Sequence, residues 1–67
     1  MKNRLRELRK IHQLTQEELA NSVGVTRQTI NAIENQKYNP TLELALKLSK
    51  FLNTPVEALF ILNEKIG

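Results

Sequence analysis

The feature that most restricts the fold is the stretch Thr15 to Asn35, TQEELANSVGVTRQTINAIEN, in which two short helical patterns meet at one glycine. Thr15 is a good N-cap, and Glu18 three residues later completes a capping box. Leu19, Ala20 and Val23 follow at helical spacing. Gly24 stops this first helix, because glycine enters the left-handed backbone region at little cost. Thr26 caps the second helix, where Ile30 and Ile33 are three apart and point the same way. At about 100° per residue, Thr29 falls with the two isoleucines, and Arg27, Gln28, Asn31, Ala32 and Asn35 fall on the opposite arc. The helix thus has a thin apolar seam and a broad face of amides with one guanidinium. An ordinary surface helix carries Glu and Lys instead, which favour helix and solubility. Flat and forked hydrogen-bonding groups are the kind that read base edges.

Gln16, Ala20, Gly24, Ile30 and Ile33 stand at the spacing of a known motif. The chain resembles the helix-turn-helix of the lambdoid phage repressor and Cro proteins, the XRE type. Ala20 lets the helices cross closely, Gly24 makes the turn, and Ile30 and Ile33 lock the second helix to the core. LRELRK at Leu5 to Lys10 and IENQKYNPTLELALKLSKFL at Ile33 to Leu52 extend the likeness, which covers roughly Asn3 to Phe60. In length and tail the chain is similar to the small dimeric cytolysin-operon repressor type. The fold this implies is all-α: a five-helix, lambda-repressor-like DNA-binding domain over residues 1–67, with the motif at 15–35 and a dimerisation segment at about 55–67. The C-terminal end is either a helix extension or a short strand near Phe60 to Asn63.

The function implied is a sequence-specific regulator of transcription, a repressor that binds duplex DNA as a homodimer on a near-palindromic operator. Arg27 and Gln28 would read bases, Arg suiting guanine and Gln adenine. Asn31 would support them at a base edge, and Ala32 would meet a thymine methyl. Gln16 at a helix N-terminus, Thr26, Thr29, Asn35, Lys37 and Tyr38 would contact the DNA backbone. Family members often carry a longer polar side chain at the position of Ala32. Fewer direct base contacts then remain, which shifts part of the specificity to DNA shape. The resemblance also makes Arg9 and Glu34 a structural ion pair tying the first helix to the DNA-reading helix. Gln13 and Gln36 depart from the pattern, and both are candidates for left-handed backbone.

In chain order, Asn3 to His12 reads as the first helix, with Leu5, Leu8 and Ile11 inward and Lys2, Arg6 and Lys10 outward. Half of the ten basic residues lie in the first ten positions, which reads equally well as a solvated face or as an anion-facing one. His12 near the helix end is a polar C-terminal residue, since no second ligand or nucleophile accompanies it. Pro40 ends the loop after the second motif helix. Tyr38 in that loop suits either a phosphate contact or a packing role. Thr41 caps a fourth helix, Leu42 to Leu52, whose only charged residues are Glu43, Lys47 and Lys50. A helix this apolar is central to a core or completes an interface. Thr54 to Glu57 reads as another capping box, with Pro55 at the first position of a short fifth helix ending near Leu59. Ala58 to Leu62 is an unbroken apolar run, and Phe60, Ile61 and Leu62 are expected to form a two-fold dimer surface.

Composition narrows the alternatives. A chain of 67 residues is one domain with a modest core. With no cysteine and one histidine, disulfides and the usual metal sites drop out, and no cofactor is expected. The polar first ten residues do not make a signal peptide, and no apolar run reaches membrane-spanning length, so a cytoplasmic protein with no membrane partner is expected. A net charge of +3 permits an anionic partner without requiring one. No catalytic set or phosphate loop is visible, so an enzyme is not expected. The competing reading from another class is a protein-interaction module, such as the antitoxin of a toxin–antitoxin pair, using its apolar tail.

Overall fold

A computed structural model describes residues 1–62. In chain order these form β1 (Lys2–Asn3), α1 (Leu5–Ile11), α2 (Gln16–Val23), α3 (Arg27–Glu34), α4 (Leu42–Phe51), α5 (Val56–Leu59) and β2 (Phe60–Ile61). The five helices enclose one core of side chains from α1 to α5, and α2 packs against both α3 and α4 while α1 rests on α3. Leu5, Leu19, Ile30, Ile33, Leu48, Leu52 and Leu59 are fully buried there.

The helix boundaries follow from local chemistry. Thr15, Thr26 and Thr41 each stand in extended backbone and accept the N–H three residues on, so α2, α3 and α4 begin as their sequences require. The Thr15–Glu18 capping box is complete, with Glu18 Oε1 accepting the Thr15 N–H at 2.8 Å. Gly24 ends α2 at φ 77°, a conformation that costs a residue with a Cβ. Three other helices end on left-handed residues with a side chain: Gln13 (φ 58°), Gln36 (φ 61°) and Asn53 (φ 52°). Each makes the two backbone bonds of a Schellman turn, as where Gln36 N–H meets Ile33 O and Lys37 N–H meets Ala32 O.

Four expectations are corrected. The first helix does not run from Asn3 to His12. Lys2 and Asn3 instead pair antiparallel with Ile61 and Phe60, which pulls the N-terminus into a two-stranded ribbon. The last strand is therefore real, but its partner is the chain's own N-terminus. Ile11 is 63% exposed, because the helix ends there and the chain turns at Gln13 before Leu14 can pack against the core. Thr54 does not cap α5: Pro55 holds the N-cap position, one residue later, and the Thr54 hydroxyl donates to Leu52 O instead. Phe60 is buried at 8% exposure, since strand alternation turns it into the monomer's core and sends Ile61 out. The expected tail surface thus reduces to Ile61 and Leu62; Leu42 and Leu46 on α4 are exposed apolar side chains as well. Residues 63–67, the end of the expected dimerisation segment, lie outside the described residues.

Candidate nucleic-acid interface

Helix α3 is fixed from behind and open in front. Ile30 and Ile33 are buried in the core, while Arg27, Gln28, Asn31 and Asn35 are exposed and Thr29 and Ala32 are half-buried. Among the described residues neither Arg27 nor Gln28 has a side-chain hydrogen bond or ion pair, so both present their full donor sets to solvent. Tyr38, folded back from the loop after α3, shares a shallow groove with Gln28, Thr29 and Ala32. Lys37 is exposed next to it. At the start of the helix Thr26 Oγ1 lies 3.1 Å from Thr29 Oγ1, so these two hydroxyls hold each other at the turn.

The orientation of α3 is set by a knot of polar groups centred on Glu34. Its side chain has no solvent exposure. Arg9 Nε donates to Glu34 Oε2 at 2.7 Å, and Arg9 Nη2 to Oε1 at 3.4 Å. Arg6 Nε and Gln16 Nε2 donate to the same Oε1 at 3.2 and 3.0 Å. Arg9 also donates from Nη1 to Leu14 O at 2.8 Å. The carboxylate therefore joins α1, α2 and α3 through charge-assisted bonds, which are the strong ones. Burial by itself would push the Glu34 carboxyl up; the bonds from Arg9, Gln16 and Arg6, with the charge of Arg9, outweigh it and hold the group below its ordinary value.

The knot extends to the outer face of α3. Gln16 Nε2 donates to Asn31 Oδ1 at 3.2 Å, and Asn35 Nδ2 donates to the same oxygen at 3.2 Å. Arg6 Nη2 donates to Asn35 Oδ1 at 3.1 Å. With its oxygen held twice, Asn31 keeps its amide nitrogen without a hydrogen bond among the described residues, facing out as a donor. Gln16, expected at a phosphate, has both amide protons directed at Glu34 and Asn31 in this structure. Local sequence patterns missed Arg6 and Gln16 as members of the knot. One signal was present: Arg6 and Arg9 are three apart, hence on one side of α1.

Among the described residues no group of three or more His, Cys, Asp or Glu side chains gathers to hold a metal, and no helix is long and apolar enough to cross a membrane.

Comparison with known proteins agrees with this geometry. A family model described as Helix-turn-helix matches residues 5–59. An HTH-type transcriptional regulator of Methanocaldococcus jannaschii is 54% identical over 61 residues, covering 91% of this chain and 92% of that protein. The cryptic phage CTXphi transcriptional repressor RstR of Vibrio cholerae is 40% identical over 57 residues, covering 85% of this chain and 51% of the repressor. Among solved structures, the restriction-modification controller protein C.AhdI of Aeromonas hydrophila superposes with a TM-score of 0.78 at 38% identity, covering 85% of this chain and 86% of that one. A match over most of the chain, with an exposed amide and guanidinium face on the second motif helix, settles the family: the chain belongs to the XRE-type helix-turn-helix transcriptional regulators and carries their DNA-binding domain.

Proposed function

We propose that the protein is a sequence-specific repressor that binds duplex DNA as a homodimer on a near-palindromic operator, acting in the cytoplasm. The observation that carries this reading is the α3 face, where Arg27, Gln28 and Asn31 stand exposed on a helix whose back is locked by Ile30, Ile33 and Glu34. An immobile helix with free donors loses little entropy on meeting bases. In the major groove Arg27 would take guanine O6 and N7, Gln28 adenine N6 and N7, Asn31 a base-edge acceptor, and Ala32 a thymine methyl. Thr26, Thr29, Asn35, Lys37 and Tyr38 surround that face and would meet the sugar-phosphate backbone, with Gln16 at the start of α2. The phage repressor of Vibrio cholerae, by its name, supports repression as the mode of action.

The homodimer rests on exposed apolar side chains. Leu62 is 70% and Leu42 74% exposed, with Ile61 and Leu46 also open. A two-fold contact would hide the same side chains on both copies and set two recognition helices about 34–36 Å apart, one turn of duplex. The same side chains equally suit a foreign protein, which is the antitoxin reading. Sedimentation of the purified chain separates the two, a tight homodimer favouring the first.

The test of the function is selection of bound sequences from a pool of random duplexes. The expected result is an enriched inverted repeat whose half-sites are spaced by one helical turn. A pool that shows no enrichment after repeated rounds would remove the reading.

A further inference from the structure

Asn3 belongs to no residue set assigned above, yet it touches both regions on which the proposed DNA binding depends, α3 through its side chain and the terminal ribbon through its backbone. Its amide nitrogen donates to Ile33 O at 2.8 Å, across a separation of 30 residues. Its amide oxygen accepts the Leu5 N–H at 3.0 Å. Its backbone lies in β1, opposite Phe60 in the ribbon. The next residue adds a further tie to the C-terminal end, Arg4 N–H donating to Leu59 O at 2.9 Å. One half-buried residue is thus held by α1, by the end of α3 and by the terminal ribbon at once.

The bond to Ile33 O is the informative one. The carbonyls in the last turn of a helix have no partner within the helix and are satisfied from outside. Gln36 N–H meets Ile33 O from the helix's own closing turn, at 3.0 Å. The Asn3 amide meets it from a different part of the chain. The Glu34 knot holds α3 toward α1 and α2, and Asn3 holds its C-terminal end toward the ribbon. The Asn3 backbone is itself positioned by pairing with β2, so a change in the ribbon reaches α3 through this amide as well as through the core that Phe60 shares with Ile30 and Ile33.

We infer that Asn3 is a positioning residue through which the terminal ribbon sets the placement of the recognition helix. The inference rests on the proposed reading of α3 as the base-reading element. The coupling is reciprocal: DNA that fixes α3 favours the paired ribbon by the same free energy with which the paired ribbon favours DNA.

The alternative is that Asn3 only caps the start of α1. Two variants separate the roles. Asn3→Ser keeps an oxygen two residues before Leu5, which serves the same local turn, but is too short to reach Ile33 O. Asn3→Ala loses both bonds. The experiment uses the full chain as wild type, N3S and N3A. It measures affinity for a duplex recovered by selection, affinity for a random duplex of equal length, and amide hydrogen exchange along α3. A positioning role predicts that N3S behaves like N3A: roughly a three- to tenfold loss on the selected duplex, the worth of one hydrogen bond, with less than about a twofold loss on the random one. Exchange at Asn35 and Gln36 should quicken while that at Leu19 and Leu48 stays slow. N3S that binds the selected duplex like wild type, or loses both duplexes by the same factor, overturns the inference. Should the wild type itself not discriminate the two duplexes, the proposed function fails instead. Exchange then decides alone: quickening at Gln36 in N3S supports the ribbon-to-helix link, and unchanged exchange overturns it.

Discussion

Replacing Arg9 by Met tests what holds α3 in place. Arg9 supplies two of the four hydrogen bonds to the unexposed Glu34 carboxylate and one to Leu14 O, and its own side chain is only 12% exposed. Breaking a buried ion pair from one side costs about 3–5 kcal/mol, because the remaining charge is left uncompensated. Here Arg6 and Gln16 still reach Glu34 Oε1, which puts the cost at the low end, about 3 kcal/mol. A domain of this size has a total stability of about 3–10 kcal/mol, so the variant is expected to be barely folded or to melt about 12–24 °C lower. Thermal and urea unfolding at neutral pH measure this. A cycle with Glu34→Met completes the test: removing both charges should cost clearly less than the two single losses added, because neither charge is then stranded. A single loss below about 0.5 kcal/mol, or strict additivity, would refute the idea that this pair anchors the helix.

Other outcomes follow from the same geometry. The depressed Glu34 carboxyl contributes stability that is full above its unfolded value near 4.5 and lost as pH falls through its lower folded value; the stability gap between wild type and Glu34→Gln should therefore be widest near neutrality and close in acid, and a gap that widens in acid would contradict it. Gly24→Ala should cost about 1–2 kcal/mol in unfolding experiments although nothing lies within 4 Å of the added Cβ, the loss coming from φ 77° alone. Gln36→Gly should do the reverse and stabilise by several tenths of a kcal/mol to about 1 kcal/mol, since φ 61° suits glycine and the Schellman bonds use only backbone. Phe60→Ala should destabilise the monomer by about 3 kcal/mol or more as a core truncation, whereas Leu62→Lys should leave unfolding unchanged and raise the concentration needed for dimers in sedimentation; equal effects of the two would erase the distinction between them. Gln28→Ala should cost about 1–3 kcal/mol on one preferred sequence and relax choice at one position, while Lys37→Ala should weaken all duplexes alike and lower the salt dependence of binding.

How much was legible in the sequence depended on the range of the interaction. The caps at Thr15, Thr26 and Thr41, the stop at Gly24 and the seam of Ile30 and Ile33 are set by neighbours within four residues, and local patterns show them. The left-handed backbone at Gln13 and Gln36 was visible as a departure from a familiar pattern. Of the ribbon only the C-terminal strand was legible, as one of two readings of the segment near Phe60; a strand of two residues has no periodicity, and its N-terminal partner lies at the other end of the chain. The same holds for Asn3, Arg6 and Gln16, whose bonds to α3 span 30, 28 and 18 residues. Phe60 was misread because an apolar run looks uniform in sequence, whereas a strand splits it between inside and outside. Thr54 was misread because Thr-Pro leaves two residues competing for one cap position, and Pro55 takes it.

The proposed function requires that α3 be the surface that meets DNA. Its most direct test is to titrate the isotope-labelled protein with a selected duplex and follow every backbone amide and side-chain amide signal by NMR. The largest changes are expected at Arg27, Gln28, Asn31 and Ala32, a second set at Gln16 and at Asn35 to Tyr38, and small changes at the buried α4 residues Leu44 and Leu48. Changes confined to the exposed side of α4 and to Ile61 and Leu62, with α3 silent, would contradict it.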